Sequence, residues 1–142
     1  MSLRVEIIPC RTDNYSYVCI DNENNAFVVD PSEFIPVDDF IKKNTLNLKY
    51  ILNTHHHFDH VGGNIELKEK YGAKIVGNKN DKDRIPGIDI CLIEGEFFKF
   101  NEYKAEIIDI PGHTIGHIAF HIQSENIVFT GDTLFSLGCG RI

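Results

Sequence analysis

The stretch Thr54-His55-His56-His57-Phe58-Asp59-His60-Val61-Gly62-Gly63 carries the most specific pattern in this chain. It follows the apolar run Tyr50-Ile51-Leu52, which predicts a strand that ends where the histidines begin. Alternate side chains of extended backbone point the same way, so His55 and His57 form a pair of ligands for one metal ion. Imidazole nitrogen together with carboxylate oxygen suits zinc, and also iron or manganese.

The same loop offers ligands for a second ion. Asp59 and His60 are adjacent in sequence, so their side chains diverge and can serve an ion beside the first. The alternative is an incidental histidine cluster. The internal position excludes a purification tag, and with 7 His in 142 residues this spacing arises by chance on the order of once in a thousand chains. The pattern therefore favours a metal site.

Composition bounds the class of protein. A chain of 142 residues, 42% hydrophobic and 25% charged, is typical of one soluble globular domain, residues 1–142. The net charge of -7 disfavours nucleic acid as a partner. No apolar run approaches the roughly 20 residues of a membrane span, and the N-terminus lacks the apolar segment of a secretory signal. We therefore expect a cytoplasmic protein with reduced cysteines, no nucleic-acid or membrane partner, and an oligomeric state that the sequence leaves open.

Strand-like and helix-like patterns alternate along the chain, with several hairpins among them, and this predicts a mixed α/β fold. A helix opened by Pro36 and a helix from Asn64 to Tyr71, ended by Gly72, are expected. The segment from Gly77 to Asp89 is predicted to be a loop. The predicted strands are Val5 to Ile8, Tyr15 to Ile20, Ala26 to Val29, Lys49 to Asn53, Ala73 to Val76, Ile90 to Ile93, Phe97 to Phe100, Ala105 to Ile110, Ile118 to Ile122 and Ile127 to Thr130.

Two further clusters lie at predicted strand ends. Pro111-Gly112-His113-Thr114-Ile115-Gly116-His117 and Thr130-Gly131-Asp132-Thr133 combine glycines, which let the backbone turn sharply, with potential metal ligands. Each cluster alone is a weak signal, because turn-forming residues are common at strand ends. Together with the histidine stretch they strengthen one another.

These three motifs resemble the signature of the metallo-β-lactamase superfamily. Within it, Gly131-Asp132-Thr133-Leu134-Phe135 followed by Gly138-Cys139-Gly140-Arg141 is similar to the hydroxyacylglutathione hydrolases, also called glyoxalase II. Thr12-Asp13-Asn14-Tyr15 and Val29-Asp30-Pro31 fit the same group, so the resemblance covers the whole chain. It implies a four-layer αββα sandwich. Longer members of the family supply one more histidine ligand and a C-terminal glutathione-binding region, so the second half of the sandwich is expected to be truncated here.

The resemblance also implies a role for each site residue. His55, His57 and His113 would bind one divalent ion, Asp59 and His60 a second, and Asp132 would bridge both. Two zinc ions are expected, with iron or manganese as alternatives, and Asp59 and Asp132 are the implied catalytic carboxylates. His117 is expected outside the ligand set as a supporting hydrogen-bond partner. Arg141 is expected near the glutathione moiety, and His56 and His121 are not expected to be ligands.

The reaction implied by the resemblance is hydrolysis of a glutathione thioester such as S-lactoylglutathione. A metal-bound water has a pKa of about 7, so near neutral pH it can attack the thioester carbonyl. Two alternatives stay open. One is a mononuclear-iron glutathione persulfide dioxygenase using His55, His113 and Asp132. The other is a non-catalytic fragment of the same fold. Thr133-Leu134-Phe135 fits the hydrolases better.

Overall fold

The computed structural model describes residues 3–10, 14–55, 61–110, 117–130 and 139–141. These residues form two β-sheets that pack face to face, with two α-helices on the outer face of the first sheet. The helices are α1 (Phe34–Lys43) and α2 (Asn64–Tyr71). The strands are β1 (Arg4–Cys10), β2 (Asn14–Ile20), β3 (Asn25–Val29), β4 (Asn47–Leu52), β5 (Lys74–Asn78), β6 (Ile88–Leu92), β7 (Phe97–Phe100), β8 (Tyr103–Asp109), β9 (Ile118–Ile122), β10 (Ile127–Phe129) and β11 (Cys139–Arg141), and short 3₁₀ turns cover Lys79–Asp81 and Gln123–Glu125.

The first sheet has the order β1-β2-β3-β4-β5-β6. Its first three strands are antiparallel neighbours, whereas β3, β4, β5 and β6 run parallel to one another. The carboxyl ends of the parallel strands therefore meet at one edge of the sheet, which is where β4 runs into the histidine stretch. Polar loops that follow such strands are brought close together at this edge.

The second sheet is an antiparallel meander with the order β11-β10-β9-β8-β7. Its strands alternate between the two faces, as the burial of Phe98 and Phe100 and the exposure of Phe97 in β7 illustrate. The inward residues pack against the first sheet. Phe27 of β3 makes edge-to-face contacts with Phe98, Phe100 and Phe129 at centroid distances of 5.7, 5.0 and 6.2 Å, a favourable geometry for aromatic rings.

The helices cover the other face of the first sheet. Val37 and Ile41 of α1 and Leu67 of α2 are buried against Val28 and Ile51. The helices are also joined through the buried carboxylate of Asp38, which accepts hydrogen bonds from Tyr71 and Lys70 of α2 and pairs with Lys42 at 3.2 Å. Burial alone would raise the pKa of Asp38, but these partners outweigh it and hold the pKa below its ordinary value. Burial, and then the contact with Asp38, raise the pKa of the Tyr71 hydroxyl.

Most predicted elements are confirmed. The helix α2 and its end at Gly72, with φ of 69°, are as expected. Helix α1 begins at Phe34, two residues before Pro36, because proline is tolerated throughout a first turn whose amides have no intrahelical acceptor. The segment predicted as a loop from Gly77 is partly ordered as the end of β5 and a 3₁₀ turn, and β11 was not expected.

The layer order also agrees with the predicted sandwich. The described residues supply a helix layer and two sheets, and within these ranges no α-helix covers the outer face of the second sheet. Among the described residues, no helix is both long and apolar enough to cross a membrane. Cys10 and Cys91 form no disulfide within the described residues.

Candidate metal centre

The structure places His55 three residues beyond the end of β4, at the edge where the parallel strands end. Its side chain is 1% exposed. Here the two sheets are joined by a backbone hydrogen bond in which the Ile118 amide donates to the Thr54 carbonyl at 2.8 Å. His55 therefore lies between the carboxyl end of the first sheet and the start of β9 in the second.

Asp30, which directly follows β3, fixes the residue before His55. Its Oδ1 accepts the Thr54 backbone amide at 2.8 Å, and its Oδ2 accepts the Thr54 hydroxyl at 2.6 Å. Both side chains are buried. Asp30 has a φ of 51°, in the left-handed region that aspartate tolerates better than most residues. Charge-assisted bonds of this kind are among the stronger hydrogen bonds in proteins.

The hydrogen bonds of Thr54 determine which nitrogen of His55 carries the proton. Thr54 Oγ1 also lies 2.9 Å from His55 Nδ1. A hydroxyl has one proton, and that proton is donated to Asp30, so the Thr54 oxygen accepts from Nδ1–H of His55. In the neutral ring Nε2 then carries the lone pair. An imidazole whose Nδ1–H is held in this way is prepared to bind a metal ion through Nε2.

His117 stacks on His55. The ring centroids are 4.5 Å apart with an angle of 18° between the planes. His117 Nε2 lies 2.9 Å from the Thr130 carbonyl oxygen, which can only accept, so Nε2 is the protonated nitrogen. The side chain is buried. This position, against His55 and tied to the end of β10, is compatible with the supporting role expected of His117, which stays a prediction.

The segments on either side of His55 are anchored to the first sheet. After the histidine stretch, the Gly63 amide donates to the Pro31 carbonyl at 2.7 Å. A side chain at Gly63 would meet the Pro31 oxygen and the Glu33 carbonyl carbon at 3.0 Å, so only glycine fits this approach. The buried amides of Asn53 and Asn64 exchange hydrogen bonds at 2.6 and 3.3 Å. The chain is therefore anchored both where β4 ends and where α2 begins.

The second predicted cluster has its base at the same edge. The Ile110 amide donates to the His117 carbonyl at 2.9 Å. This bond joins the described residues on either side of segment 111–116, which contains the predicted ligand His113. Thr130, at the start of the third cluster, is held through its carbonyl by His117. The bases of all three sequence motifs thus converge around His55.

Several predicted site residues lie outside the described residues, and their roles stay predictions. Arg141 lies in β11 opposite Ile127, and its side chain is outside the described part as well. His121 lies in β9 opposite Glu106, away from His55 on the outer face of the second sheet. The site residues outside the described ranges are His56, His57, Asp59, His60, His113 and Asp132.

Sequence reasoning did not assign a role to Asp30 or Thr54. Both follow neighbouring parallel strands at the same edge, because Val29 pairs with Leu52. A polar residue at the carboxyl end of a strand next to the histidine strand was the available signal. The hydrogen bonds between them could not be read from spacing.

The residues present fit a metal ion through the chemistry of the donor, since His55 offers a buried, oriented Nε2 lone pair. Within the described ranges, no group of three or more His, Cys, Asp or Glu side chains could hold an ion. The other predicted ligands lie outside the described residues. The described part thus supplies one oriented ligand and its support.

The sequence is similar to that of proteins of known family. The family model of the metallo-beta-lactamase superfamily matches residues 10–142. The chain is 56% identical over 141 residues to the hydroxyacylglutathione hydrolase of Pelagibacter ubique (strain HTCC1062), covering 99% of this chain and 59% of that protein. It is 45% identical over 141 residues to the hydroxyacylglutathione hydrolase of Methylococcus capsulatus (strain ATCC 33009 / NCIMB 11132 / Bath), covering 99% and 55%. The chain thus spans just over half of the length of these relatives.

Among solved structures, the fold is similar to that of the BLEG-1 B3 metallo-beta-lactamase. The TM-score is 0.85 at 22% identity, covering 93% of this chain and 73% of that one. This likeness concerns the fold, and it agrees with the two packed sheets described above. Because the family model matches nearly the whole length of the chain, the chain belongs to the metallo-beta-lactamase superfamily.

Proposed function

We propose that this chain carries the metal-binding part of a hydrolase that cleaves hydroxyacylglutathione thioesters, such as S-lactoylglutathione, to glutathione and a 2-hydroxy acid. The observation that carries the proposal is the 56% identity to a hydroxyacylglutathione hydrolase over 99% of the chain. The oriented, buried His55 at the convergence of the three motifs supports it independently.

We further propose that the chain binds two divalent ions, with zinc favoured over iron or manganese. His55, His57 and His113 would hold one ion, Asp59 and His60 would hold the other, and Asp132 would contact both. Ions bound there would supply a hydroxide near neutral pH and polarise the thioester carbonyl. Arg141 would contact the glutathione moiety. The cytoplasmic location and the single domain over residues 1–142 stay predictions.

The described residues contribute to this chemistry by holding His55 in one orientation. Asp30 fixes Thr54, and Thr54 holds the ring of His55 through Nδ1, which makes Nε2 the nitrogen that would bind an ion, so little reorganisation would be required when an ion binds. Stacking of His117 on His55 restricts rotation of both rings. A thiolate leaving group has a conjugate acid pKa of about 8.5, so it departs without a strong general acid.

The proposal is tested by hydrolysis of S-lactoylglutathione, followed by the loss of thioester absorbance, with zinc-, iron- and manganese-loaded protein. We expect turnover that His55→Ala abolishes and that His121→Ala leaves unchanged, because His121 lies on the outer face of the second sheet. Absence of turnover with all three metals would refute the proposal. Oxygen uptake on glutathione persulfide by the iron-loaded protein would favour the dioxygenase instead.

A further inference from the structure

The hairpin of β1 and β2 leaves part of the face between the two sheets uncovered. Tyr17 and Cys19 of β2 point into the core between the sheets. Tyr15, two residues before Tyr17, faces the same side because strand residues alternate, and Ile7 joins that face as the partner of Tyr17. Yet Tyr15 is 48% exposed and Ile7 59%. Two large apolar side chains thus lie open on a face that is otherwise core.

This open pair lies at the same edge of the sheet as His55. Tyr17 pairs with Val29, and Val29 pairs with Leu52. Continuing that register by two residues places Tyr15 level with Thr54, the residue before His55. Two strand spacings separate them, roughly 10 Å between backbones. A tyrosine side chain covers a large part of such a distance, so its ring can contact a molecule bound at His55.

We propose that Tyr15, together with Ile7, is a specificity-determining residue that contacts the acyl group of the thioester substrate. The inference rests on the proposed function and names which part of the substrate meets this face. Apolar and aromatic acyl groups should be preferred over small polar ones, because contact with the ring removes their apolar surface from water.

The chemistry of the substrate favours the acyl group over the other occupants. Glutathione carries two carboxylates and an ammonium group, and neither Ile7 nor Tyr15 carries the opposite charge with which these groups would form ion pairs. The acyl carbonyl must lie beside the metal ligands, so the rest of the acyl group is the nearest apolar part of the substrate. A second copy of the chain is disfavoured because two side chains are far less than the roughly 1,200–2,000 Å² that a stable interface buries.

The test compares hydrolysis of S-lactoylglutathione and S-mandeloylglutathione, which differ in having a methyl or a phenyl group on the 2-hydroxyacyl carbon. For Tyr15→Ala we expect kcat/KM to fall about tenfold for the mandeloyl thioester and less than about twofold for the lactoyl thioester. Tyr15→Phe should retain the preference, since the ring face makes the contact. A thermal melt of each variant checks that the fold is unchanged.

A matched control is Phe97→Ala. Phe97 is 43% exposed, but it lies on the outer face of the second sheet, with Lys104 Nζ 4.9 Å from its ring centroid. Phe97→Ala should leave kcat/KM unchanged for both thioesters. A second readout is calorimetric binding of S-hexylglutathione, a thioether that cannot be hydrolysed, which Tyr15→Ala should weaken about five- to tenfold.

Three outcomes would overturn the inference. If the unaltered protein hydrolyses neither thioester, the proposed function fails and the inference falls with it. If it hydrolyses both and Tyr15→Ala behaves like Phe97→Ala, the inference alone is wrong. If Tyr15→Ala changes the sedimentation coefficient while the substrate preference is retained, the face is a contact between copies of the chain.

Discussion

The carboxylate of Asp30 binds both polar groups of Thr54, the backbone amide through Oδ1 and the hydroxyl through Oδ2. The two residues lie just beyond the carboxyl ends of neighbouring parallel strands, so the contact is a consequence of the sheet order β3-β4. Because the Thr54 hydroxyl donates its proton to Asp30, its oxygen can only accept a hydrogen bond from His55. A residue distant in sequence thereby sets the protonation pattern of a predicted metal ligand.

Thr54→Val tests this relationship. Valine has the shape of threonine but no hydroxyl, so His55 Nδ1 loses its acceptor and the ring loses its fixed orientation. We expect zinc affinity to fall about 10- to 100-fold, the range found when support of a ligand histidine is removed. Competition with a chelator measures the affinity, and nitrogen NMR of the His55 ring reports the tautomer. Thr54→Ser, which keeps the hydroxyl, should behave like the unaltered protein. Equal affinity in the valine variant would contradict the assignment.

The histidine stretch makes a second prediction. The sequence predicts extended backbone through this stretch, which would direct His55 and His57 to one side and His56 to the other. We expect His55→Ala and His57→Ala each to lose bound metal, whereas His56→Ala keeps it. Elemental analysis of the purified variants decides this, and His121→Ala serves as a control on the opposite side of the second sheet. Equal metal loss in all the variants would show that the ligand assignment is wrong.

Gly63 should resist substitution by alanine. The new Cβ would meet the Pro31 oxygen and the Glu33 carbonyl carbon at 3.0 Å, and both are backbone atoms that cannot turn aside. We expect the free energy of unfolding to fall by about 1–3 kcal/mol, measured by urea denaturation. Gly72→Ala is the comparison. There the new Cβ has nothing within 4 Å, and the cost is the strain of a φ of 69°, about 1 kcal/mol. A smaller loss at Gly63 than at Gly72 would contradict the steric argument.

Acid should weaken the contact between the helices. The pKa of Asp38 is lowered in the folded protein by Lys70, Tyr71 and Lys42 despite its burial. A carboxyl with a lowered folded pKa stabilises fully above its unfolded pKa of about 3.9. That stabilisation is lost as the pH falls from there through the folded value.

Asp38→Asn should therefore lower stability at neutral pH by about 1–3 kcal/mol and show a smaller further loss below about pH 4. Thermal melts over that range measure both effects. Asp39→Asn is the matched control, since the Asp39 side chain is 70% exposed and comes no closer than 4.0 Å to Lys42. If Asp38→Asn lost as much stability below about pH 4 as the unaltered protein does, the charge of the Asp38 carboxylate would contribute nothing to stability.

The sequence predicted the elements and the kind of site better than the connections between them. Alternation and turn residues located most strands, and the spacing of His55 and His57 indicated a metal site. The two-sheet sandwich came from the resemblance, because nothing in local periodicity tells which strands share a sheet. The link from Asp30 to Thr54 depends on the pairing of Val29 with Leu52, a long-range register that no local pattern encodes.

The backbone hydrogen bond from the Ile118 amide to the Thr54 carbonyl has a consequence for folding. It joins β9 to the end of β4, segments far apart in the sequence and in different sheets. The surroundings of His55 are therefore completed only once both sheets have docked, so a ligand held across them acts on the cooperative unfolding of the chain as a whole. Amide hydrogen exchange at Ile118 should consequently slow by the same factor as global unfolding when metal binds.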